Sequence, residues 1–554
     1  MNEFELKFEI PAHSLPKIVA AVHAKKAQLH ILQACYFDTK DGALAKNGLT
    51  LRMRKEGNDW VQTAKGLTSN SLDRLEHNVE IGSSKSILTN NIVLGNKTAS
   101  SKPSSHMPSI NLSRHADEKI GKLIMRALKI KPNEPMPALI PMYETDVQRL
   151  KFSVKHAGSI IEIALDQGMV ISGGRSATLC ELEIELKQGS SEHAIALART
   201  WCAAHGLWLS TINKSMKGQR LHDNLLSSEL KHKGLQDKLK FKTDANGQQM
   251  VKAVFQSCLN QILANVSEIA SGSHNAEHIH QLRVGIRRLR TAMRELTVLA
   301  DGINPAWEKP LIDAFRALGR QRDNDYLIKV ILPQTAAEGG PDISTHLVVA
   351  KLLDAGLVDA GLVVRSKVFQ DTLLCLITYV NSRYLNGANA SDSINSDAKN
   401  VINNVKENYK HKKVSKILAN RLDKLHEKII KEGKKFLTLT ETQQHSVRKH
   451  FKRLRYLAEF SAPHFSKSVF TTSSSEKKRS LAFITALKPV QDSLGLYNDE
   501  LMALQTYHTL AATDQRAWFG VGWLSARRKS NAKKCQQEID IFIKNTSKQK
   551  LFWQ

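Results

Sequence analysis

The chain opens with Glu3-Phe4-Glu5-Leu6-Lys7-Phe8. As a strand this puts Glu3, Glu5 and Lys7 on one face and the three apolar side chains on the other. Cys180-Glu181-Leu182-Glu183-Ile184-Glu185-Leu186 repeats the pattern with three carboxylates, and Glu162 and Asp166, four residues apart, share a face in the same way. Cationic counterparts stand at Arg52 and Arg54, at Lys65 and at Arg74, the last with Glu76 and Glu80 on its side of an alternating run. Carboxylate oxygens suit hard divalent cations such as Mg2+ or Mn2+, whereas guanidinium and ammonium groups suit phosphate oxygens. One charged strand would simply face water, but several in a row point to a shared, charged interior.

Short alternating segments rich in β-branched and aromatic residues carry these groups from Met1 to about Arg220. Extended runs are expected at the start, at Ile31 to Thr39, at Leu49 to Arg54, at Trp60 to Lys65 and at Arg74 to Glu80. Further strands are expected at Pro141 to Val154, at Ser159 to Asp166 with Gly168 turning the chain, and at Cys180 to Leu186. Helices are expected at Pro11 to Lys26 and Asp117 to Ile130, and the Ser-, Asn- and Lys-rich run 83–113 reads as a long mobile loop. A closed barrel accounts for such strands best, with apolar faces outward under helices and charged faces lining a channel where acids and bases compensate one another.

The 554 residues allow two to four domains, and the net charge of +27 points to polyanionic partners. Residues after 230 hold about +21 of it and the earlier ones about +6, so the polyanion binder is expected in the second region. Six scattered cysteines without a C-x-x-C pair fit a reducing, cytoplasmic setting. The strand-like acidic start is a poor signal peptide, and the most apolar long segment, Leu347 to Val364, carries Lys351, Asp354 and Asp359 and reads as a soluble helix.

After a polar, lysine-rich stretch at 221–245, apolar residues recur at three- and four-residue spacing, as in helices at Met250 to Ala270, Ile279 to Leu299 and Trp307 to Leu318. An internal repeat lies within this region: His280-Gln-Leu-Arg283-Val-Gly-Ile-Arg287-Arg288-Leu289-Arg290 returns as His445-Ser-Val-Arg448-Lys-His-Phe-Lys452-Arg453-Leu454-Arg455. On a helix, His280, Arg283, Arg287 and Arg290 form a cationic stripe opposite Leu282, Ile286 and Leu289; His445, Arg448, Lys452 and Arg455 do the same opposite Val447, Phe451 and Leu454. A second repeated element, Leu318-Gly319-Arg320-Gln-Arg322-Asp323-Asn324-Asp325 and Leu494-Gly495-Leu-Tyr-Asn498-Asp499, offers acids to orient those cations.

Glu3-x-Glu5-x-Lys7, Leu51-Arg52-x-Arg54, Thr63-x-Lys65-Gly66, Arg74-x-Glu76, Glu162-x-x-x-Asp166-x-Gly168 and the Glu181/Glu183/Glu185 strand, in this order, resemble the CYTH domain. The resemblance implies an α+β triphosphate tunnel, an eight-stranded antiparallel β barrel with flanking helices over residues 1–220, whose members act on triphosphates and need Mg2+ or Mn2+. It implies Glu3, Glu5, Glu181 and Glu183 as metal and water-handling carboxylates, with Lys7, Arg52, Arg54, Lys65 and Arg74 gripping the triphosphate. Glu185, Glu162 and Asp166 either support basic residues or touch the metal, as do Glu76 and Glu80. The family's Thr-x-Arg element is met loosely by Thr145 and Arg149, and its closing Ser-Lys element in part by Asn213-Lys214-Ser215, which adds Arg149 and Lys214 to the substrate set. The two H-x-x-R-x-x-x-[RK]-R-L-R copies resemble the CHAD domain over residues 246–545, which implies an all-α fold of two pseudo-symmetric four-helix bundles binding inorganic polyphosphate through the two cationic stripes.

The expected function is hydrolysis of tripolyphosphate to diphosphate and phosphate, with Glu5, Glu3, Lys7 and Glu183 catalytic and a helical module holding longer polyphosphate. Thiamine triphosphatase or adenylyl cyclase activity in the same tunnel is the enzymatic alternative, and a non-catalytic polyphosphate binder the second class. A negative ligand alone gives no reason for the carboxylate set. RNA binding ranks third, because aromatic residues make up 6% and give few stacking platforms; neither nucleic acid nor a membrane is an expected partner, and no obligate protein partner is evident.

Overall fold

The computed structural model describes residues 2–67, 72–83, 107–130, 137–225, 239, 245–343, 359–382, 411–465, 475–547 and 550–554. The alternating segments form strands β1 (Asn2–Glu9), β2 (Gln28–Asp38), β3 (Leu49–Glu56), β4 (Asp59–Leu67), β5 (Asp73–Ser83), β6 (Ile140–His156), β7 (Ser159–Ser172), β8 (Arg175–Gln188) and the short β9 (Trp208–Leu209). Their order is β5-β4-β3-β2-β6-β7-β8-β1, and β1 pairs back onto β5 through Glu3 opposite Arg74. Eight antiparallel strands therefore close into a barrel, with β9 added beside β1 at Phe8.

Closure sorts the two faces of each strand. Phe4, Leu6 and Phe8 of β1 are buried on the outer face, where α4 (Ser191–His205) packs; α1 (Leu15–Ala24), α2 (Ala43–Lys46) and α3 (Lys119–Ala127) pack against other strands, and α5 (Lys214–His222) packs on β6, β7 and β8 and lines the interior. Helix α4 packs on β1, β6, β7 and β8 through Ala194, Ile195, Ala198 and Cys202, and α3 sits on β4 and β5 through Ile120 and Ile124. Each of the buried isoleucines among them stabilises the fold by about 1.5–3 kcal/mol relative to exposure.

Gly168 does not turn the chain. Strand β7 runs on to Ser172, and the turn falls at Gly173-Gly174, both with positive φ. A Cβ at Gly168 would lie 2.0 Å from the Asp146 carbonyl, so glycine serves a close strand crossing there. The expected mobile loop falls largely on 84–106, the linker largely on 226–244 and the apolar segment largely on 344–358, all mostly outside the described residues.

Beyond the barrel the described residues are helical: α6 (Gly247–Ala270), α7 (Ala276–Leu296), α8 (Glu308–Tyr326), α9 (Leu332–Ala337), α10 (Ala360–Arg365), α11 (Lys367–Asn381), α12 (His411–Gly433), α13 (Glu441–Phe465), α14 (Ser475–Ala511) and α15 (Ala517–Ser547). The chain divides into two compact units: Met1–Gly234 with Leu263–His278 and Val364–Ser382, and Leu235–Ile262 with Ile279–Val363 and Arg383–Gln554. In the second unit α13 packs against α12 and α14, α14 against α15, and α15 returns to α12. The apolar stripes of the repeat, Leu282, Ile286 and Leu289 on α7 and Val447, Phe451 and Leu454 on α13, are buried as their spacing predicts. Among the described residues no helix is long and apolar enough to cross a membrane, and all six cysteines are free thiols.

Candidate active site

Inside the barrel lies a cavity of about 530 Å3. Strand register builds its acidic wall: Asp166 on β7 stands opposite Glu181 on β8 and Arg149 on β6, and Lys7 on β1 stands opposite Glu183. One oxygen from each of Asp166, Glu181 and Glu183 falls within 4.8 Å of the other two. The Lys214 ammonium sits among them, 2.7 Å from Asp166 Oδ2, 2.5 Å from Glu181 Oε1 and 2.6 Å from Glu183 Oε1. Arg149 donates to both Asp166 oxygens, from Nε at 2.7 Å and Nη2 at 2.6 Å, and also reaches Glu183.

Lys214 reaches this position because Asn213 caps α5, its side chain accepting from Met216 N at 2.8 Å. Gly218 lets α5 lie directly on the barrel: a Cβ there would stand 2.1 Å from the Tyr143 ring. The same helix brings Lys217 to Glu9 at 2.9 Å and to Glu181 at 3.1 Å. Lys7, nearly fully buried, donates to the Ile212 carbonyl and lies 3.7 Å from Glu181. Burial would raise the Glu181 carboxyl, but Lys214, Lys7 and Lys217 outweigh it and hold it at about 2. Burial lowers Lys7 to about 8 against the pull of Glu181.

Glu5 behaves in the opposite sense. Its carboxylate lines the cavity with Arg74 Nη1 at 3.9 Å, beyond hydrogen-bond reach. Burial and then the charge of Glu183 raise its proton affinity, more than Arg74, Lys65 and Lys214 lower it. Glu5 thus presents a hard oxygen donor whose negative charge its neighbours leave under-compensated, near a Glu183 carboxylate that Lys214 and Arg149 hold ionised; carboxylate oxygens of this kind fit a divalent cation such as Mg2+ or Mn2+.

Basic residues occupy the facing wall. Arg52 is buried with Nη1 3.5 Å from the Tyr36 hydroxyl, and Tyr36 stacks on Tyr143 at 4.7 Å. Arg54 donates to Glu56, and burial beside Arg52 lowers its pKa to about 10. Lys65 pairs with Glu76 directly across β4 and β5. On the strands of the acidic wall, Lys151 of β6 lies 3.6 Å from Glu162 and Lys187 of β8 lies 2.6 Å from Glu185. The basic wall of β3, β4 and β5, with these two lysines, can neutralise an elongated anion along its length.

The cavity therefore gathers Glu5, Lys7, Arg52, Arg54, Lys65, Arg74, Arg149, Glu162, Glu183, Glu185 and Lys214. Asp166 and Glu181 are fully buried behind Lys214. Glu80 is exposed, opposite Val61 and next to a β-bulge. For Glu3 the described part is the backbone, paired with Arg74. Sequence reasoning missed Tyr36, Lys151, Lys187 and Lys217. The three-residue spacing of Lys214, Lys217 and Arg220 was the signal for Lys217.

In the helical region Arg283 stacks on Phe315 at 4.1 Å and donates to its carbonyl, and Arg287 lies 5.6 Å from the same ring. Arg290 pairs with Glu308 at 2.9 Å, and Arg455 with Glu459 at 2.8 Å. His445 meets Asn498 at 2.7 Å, so the second repeated element reaches the preceding helix at its histidine through an amide. His280, Arg448 and Lys452 are half-buried on their helices. The arginine beside each stripe has a different place: Arg288 is fully buried and bonded to Gln261 at 2.8 Å, and Arg453 pairs with Glu295.

The family model of the CYTH domain matches residues 1–218, and that of the CHAD domain residues 253–508. An inorganic triphosphatase from Haemophilus influenzae is 26% identical over 226 residues, 40% of this chain and 55% of the relative, so the match spans about half of that protein's length. Among solved structures, the CHAD domain from the plant Ricinus communis is similar at 20% identity, covering 55% of this chain and 95% of that one with a TM-score of 0.39. A putative adenylyl cyclase from Hippeastrum, described with a dominant triphosphatase activity, is similar at 14% identity, covering 40% of this chain and 97% of that one with a TM-score of 0.26. The chain thus carries a CYTH domain followed by a CHAD domain.

Proposed function

We propose that the barrel hydrolyses inorganic tripolyphosphate to diphosphate and phosphate with the help of Mg2+ or Mn2+. The observation that carries this reading is Glu5, its proton affinity raised by burial and by Glu183, set around one cavity with Arg52, Arg54, Lys65 and Arg74. The relative named inorganic triphosphatase supports the same reaction. Glu5 and Glu183 would hold the cation, with Glu3 beside them on β1, and Asp166 and Glu181 would orient Lys214 and Arg149. When bound, the cation supplies charge neutralisation on the phosphate oxygens. The basic wall holds the chain extended and stabilises charge that builds on the departing diphosphate. Water attacks the terminal phosphorus, the bridging oxygen leaves with diphosphate, and Glu5 would take the water proton on the carboxylate oxygen that does not hold the cation.

In this reading residues 1–220 are the catalytic domain, and residues 246–545 bind longer polyphosphate through the cationic stripes that begin at His280 and His445. Free thiols support a cytoplasmic setting. The test is a substrate panel of tripolyphosphate, thiamine triphosphate, ATP and long-chain polyphosphate, each assayed with Mg2+ and with Mn2+. Fastest phosphate release from tripolyphosphate, lost in excess EDTA, is expected; equal rates in EDTA would overturn the metal's part, and preference for an organic triphosphate would overturn the substrate.

A further inference from the structure

Between β9 and α5 the chain runs Ser210-Thr211-Ile212-Asn213, and this short segment fixes two of the cavity's cations. Ser210 N donates to the Lys7 carbonyl at 2.8 Å, and the Ile212 carbonyl accepts from the Lys7 ammonium. Asn213 then starts the helix that delivers Lys214 to three carboxylates. What holds the segment comes from far along the sequence. Leu209 N donates to Gln370 Oε1 at 2.9 Å, Thr211 N donates to Ser267 Oγ at 2.8 Å, and Arg220 of α5 forms an ion pair with Glu268.

Ser267 and Glu268 lie in the last turn of α6 and Gln370 in the first turn of α11, all within the stretch matched by the CHAD model, yet all belong to the compact unit of the barrel. Each of the three is at most 3% exposed. Burying a polar side chain is costly unless its hydrogen bonds are made. Two of these side chains are held from both ends: Ser267 Oγ donates to the Leu263 carbonyl at 2.7 Å, and Gln370 Nε2 donates to the Val364 carbonyl at 2.6 Å. Apolar packing alone would join these helices to the barrel. Oriented polar groups aimed at alternate backbone N–H groups of a two-residue strand and its exit fix that strand's register and direction.

We propose that Ser267, Glu268 and Gln370 are positioning residues of the tunnel, holding segment 209–213 and α5 so that Lys7 and Lys214 stay on the carboxylate wall. The helical stretch is then part of the tunnel's working structure. The kinetic side of this rests on the triphosphatase reading above; the structural side does not.

The experiment uses the full chain, with Glu268→Gln, Glu268→Asp and the double variant Ser267→Ala/Gln370→Ala. Arg199→Gln is the control: it breaks the exposed Arg199–Asp371 pair between α4 and α11 without touching the segment. Backbone amide exchange over 207–222 is measured with and without inorganic tripolyphosphate, beside kcat, KM and the thermal midpoint. Exchange in Glu268→Gln and in the double variant should rise about tenfold, the factor that corresponds to one neutral hydrogen bond, and kcat should fall at least as much. Glu268→Asp should recover most of both, and Arg199→Gln should match the wild type. Unchanged exchange, unchanged kcat, or losses in Arg199→Gln as large as in the others would overturn the proposal. If the wild type does not turn tripolyphosphate over, the functional reading fails, and the exchange data still decide whether these side chains hold the segment.

Discussion

Glu5 and Glu181 are both carboxylates on the barrel's inner face, Glu5 half-buried and Glu181 fully buried, and their surroundings push them apart. Three ammoniums hold Glu181 ionised, whereas Glu183 and burial leave Glu5 eager for positive charge. Glu5→Gln keeps the shape and removes the charge. Turnover of tripolyphosphate should then fall about a hundredfold or more, the scale of a positioned acid or base, while polyphosphate binding by the helical region is unchanged. Phosphate release and a binding titration on the same preparation check both halves. His115, buried on the barrel's outer side, makes a different residue-scale prediction. Its Nδ1 is 2.9 Å from His77 Nδ1 and its Nε2 is 2.9 Å from Gln62. Burial, then His77 and Arg114, lower its pKa from 6.5 to about 4. Between these values the unfolded chain binds the extra proton, so stability present at neutral pH is lost as the pH falls through that window. The loss between pH 7 and 4.5 from this group is about 2 kcal/mol. Urea unfolding at the two pH values should show that loss shrinking by this amount in His115→Gln.

At the scale of elements, α5 is the piece that completes the cavity, and its approach depends on Gly218 lying against Tyr143. Gly218→Ala forces a methyl into the ring or the helix outward. Overpacking of this kind costs about 1–3 kcal/mol. Because Lys214 rides on the same helix, activity should fall beyond what the lower thermal midpoint explains, and a midpoint and turnover both equal to wild type would remove α5 as a rigid delivery element. Much of the barrel was legible because strand alternation sorts charged from apolar residues before any partner is known. Glycine is less legible: Gly168 carries the same letter whether it turns a chain or permits a crossing, and only the position of Asp146 distinguishes the two. The Lys214 contacts were illegible for a related reason. Its three carboxylates come from two strands whose register is fixed by pairing, and the lysine arrives on a separate helix further along the chain. Ser267, Glu268 and Gln370 lie 48 to 161 residues from their partners, and no local pattern in α6 or α11 marks them.

For the whole molecule the question is how a chain of net charge +27 distributes its affinity for anions. Inside the barrel most cations are answered by nearby carboxylates, so binding there is tuned by geometry and by a metal. The stripes on α7 and α13 mix ion pairs with ring contacts: Arg290 meets Glu308 and Arg455 meets Glu459, while Arg283 and Arg287 lie over Phe315, which orients a guanidinium, and Lys452 stands half-buried on the matching helix. Such charges act over a Debye length and attract a long polyanion in a salt-dependent way. Arg287 and Lys452 both fall in the second compact unit, whereas every residue lining the cavity falls in the first. Charge reversal at both, Arg287→Glu with Lys452→Glu, should therefore weaken long-chain polyphosphate binding at least tenfold and flatten its dependence on salt. Tripolyphosphate kcat should stay within about twofold of wild type, since neither residue lines the cavity and surface charges are screened by salt. Titration of the double variant with polyphosphate at two salt concentrations, beside the tripolyphosphate assay, checks this. Binding that survives would place the polyphosphate surface elsewhere, and a parallel loss of kcat would mean that these stripes serve the tunnel's chemistry as well.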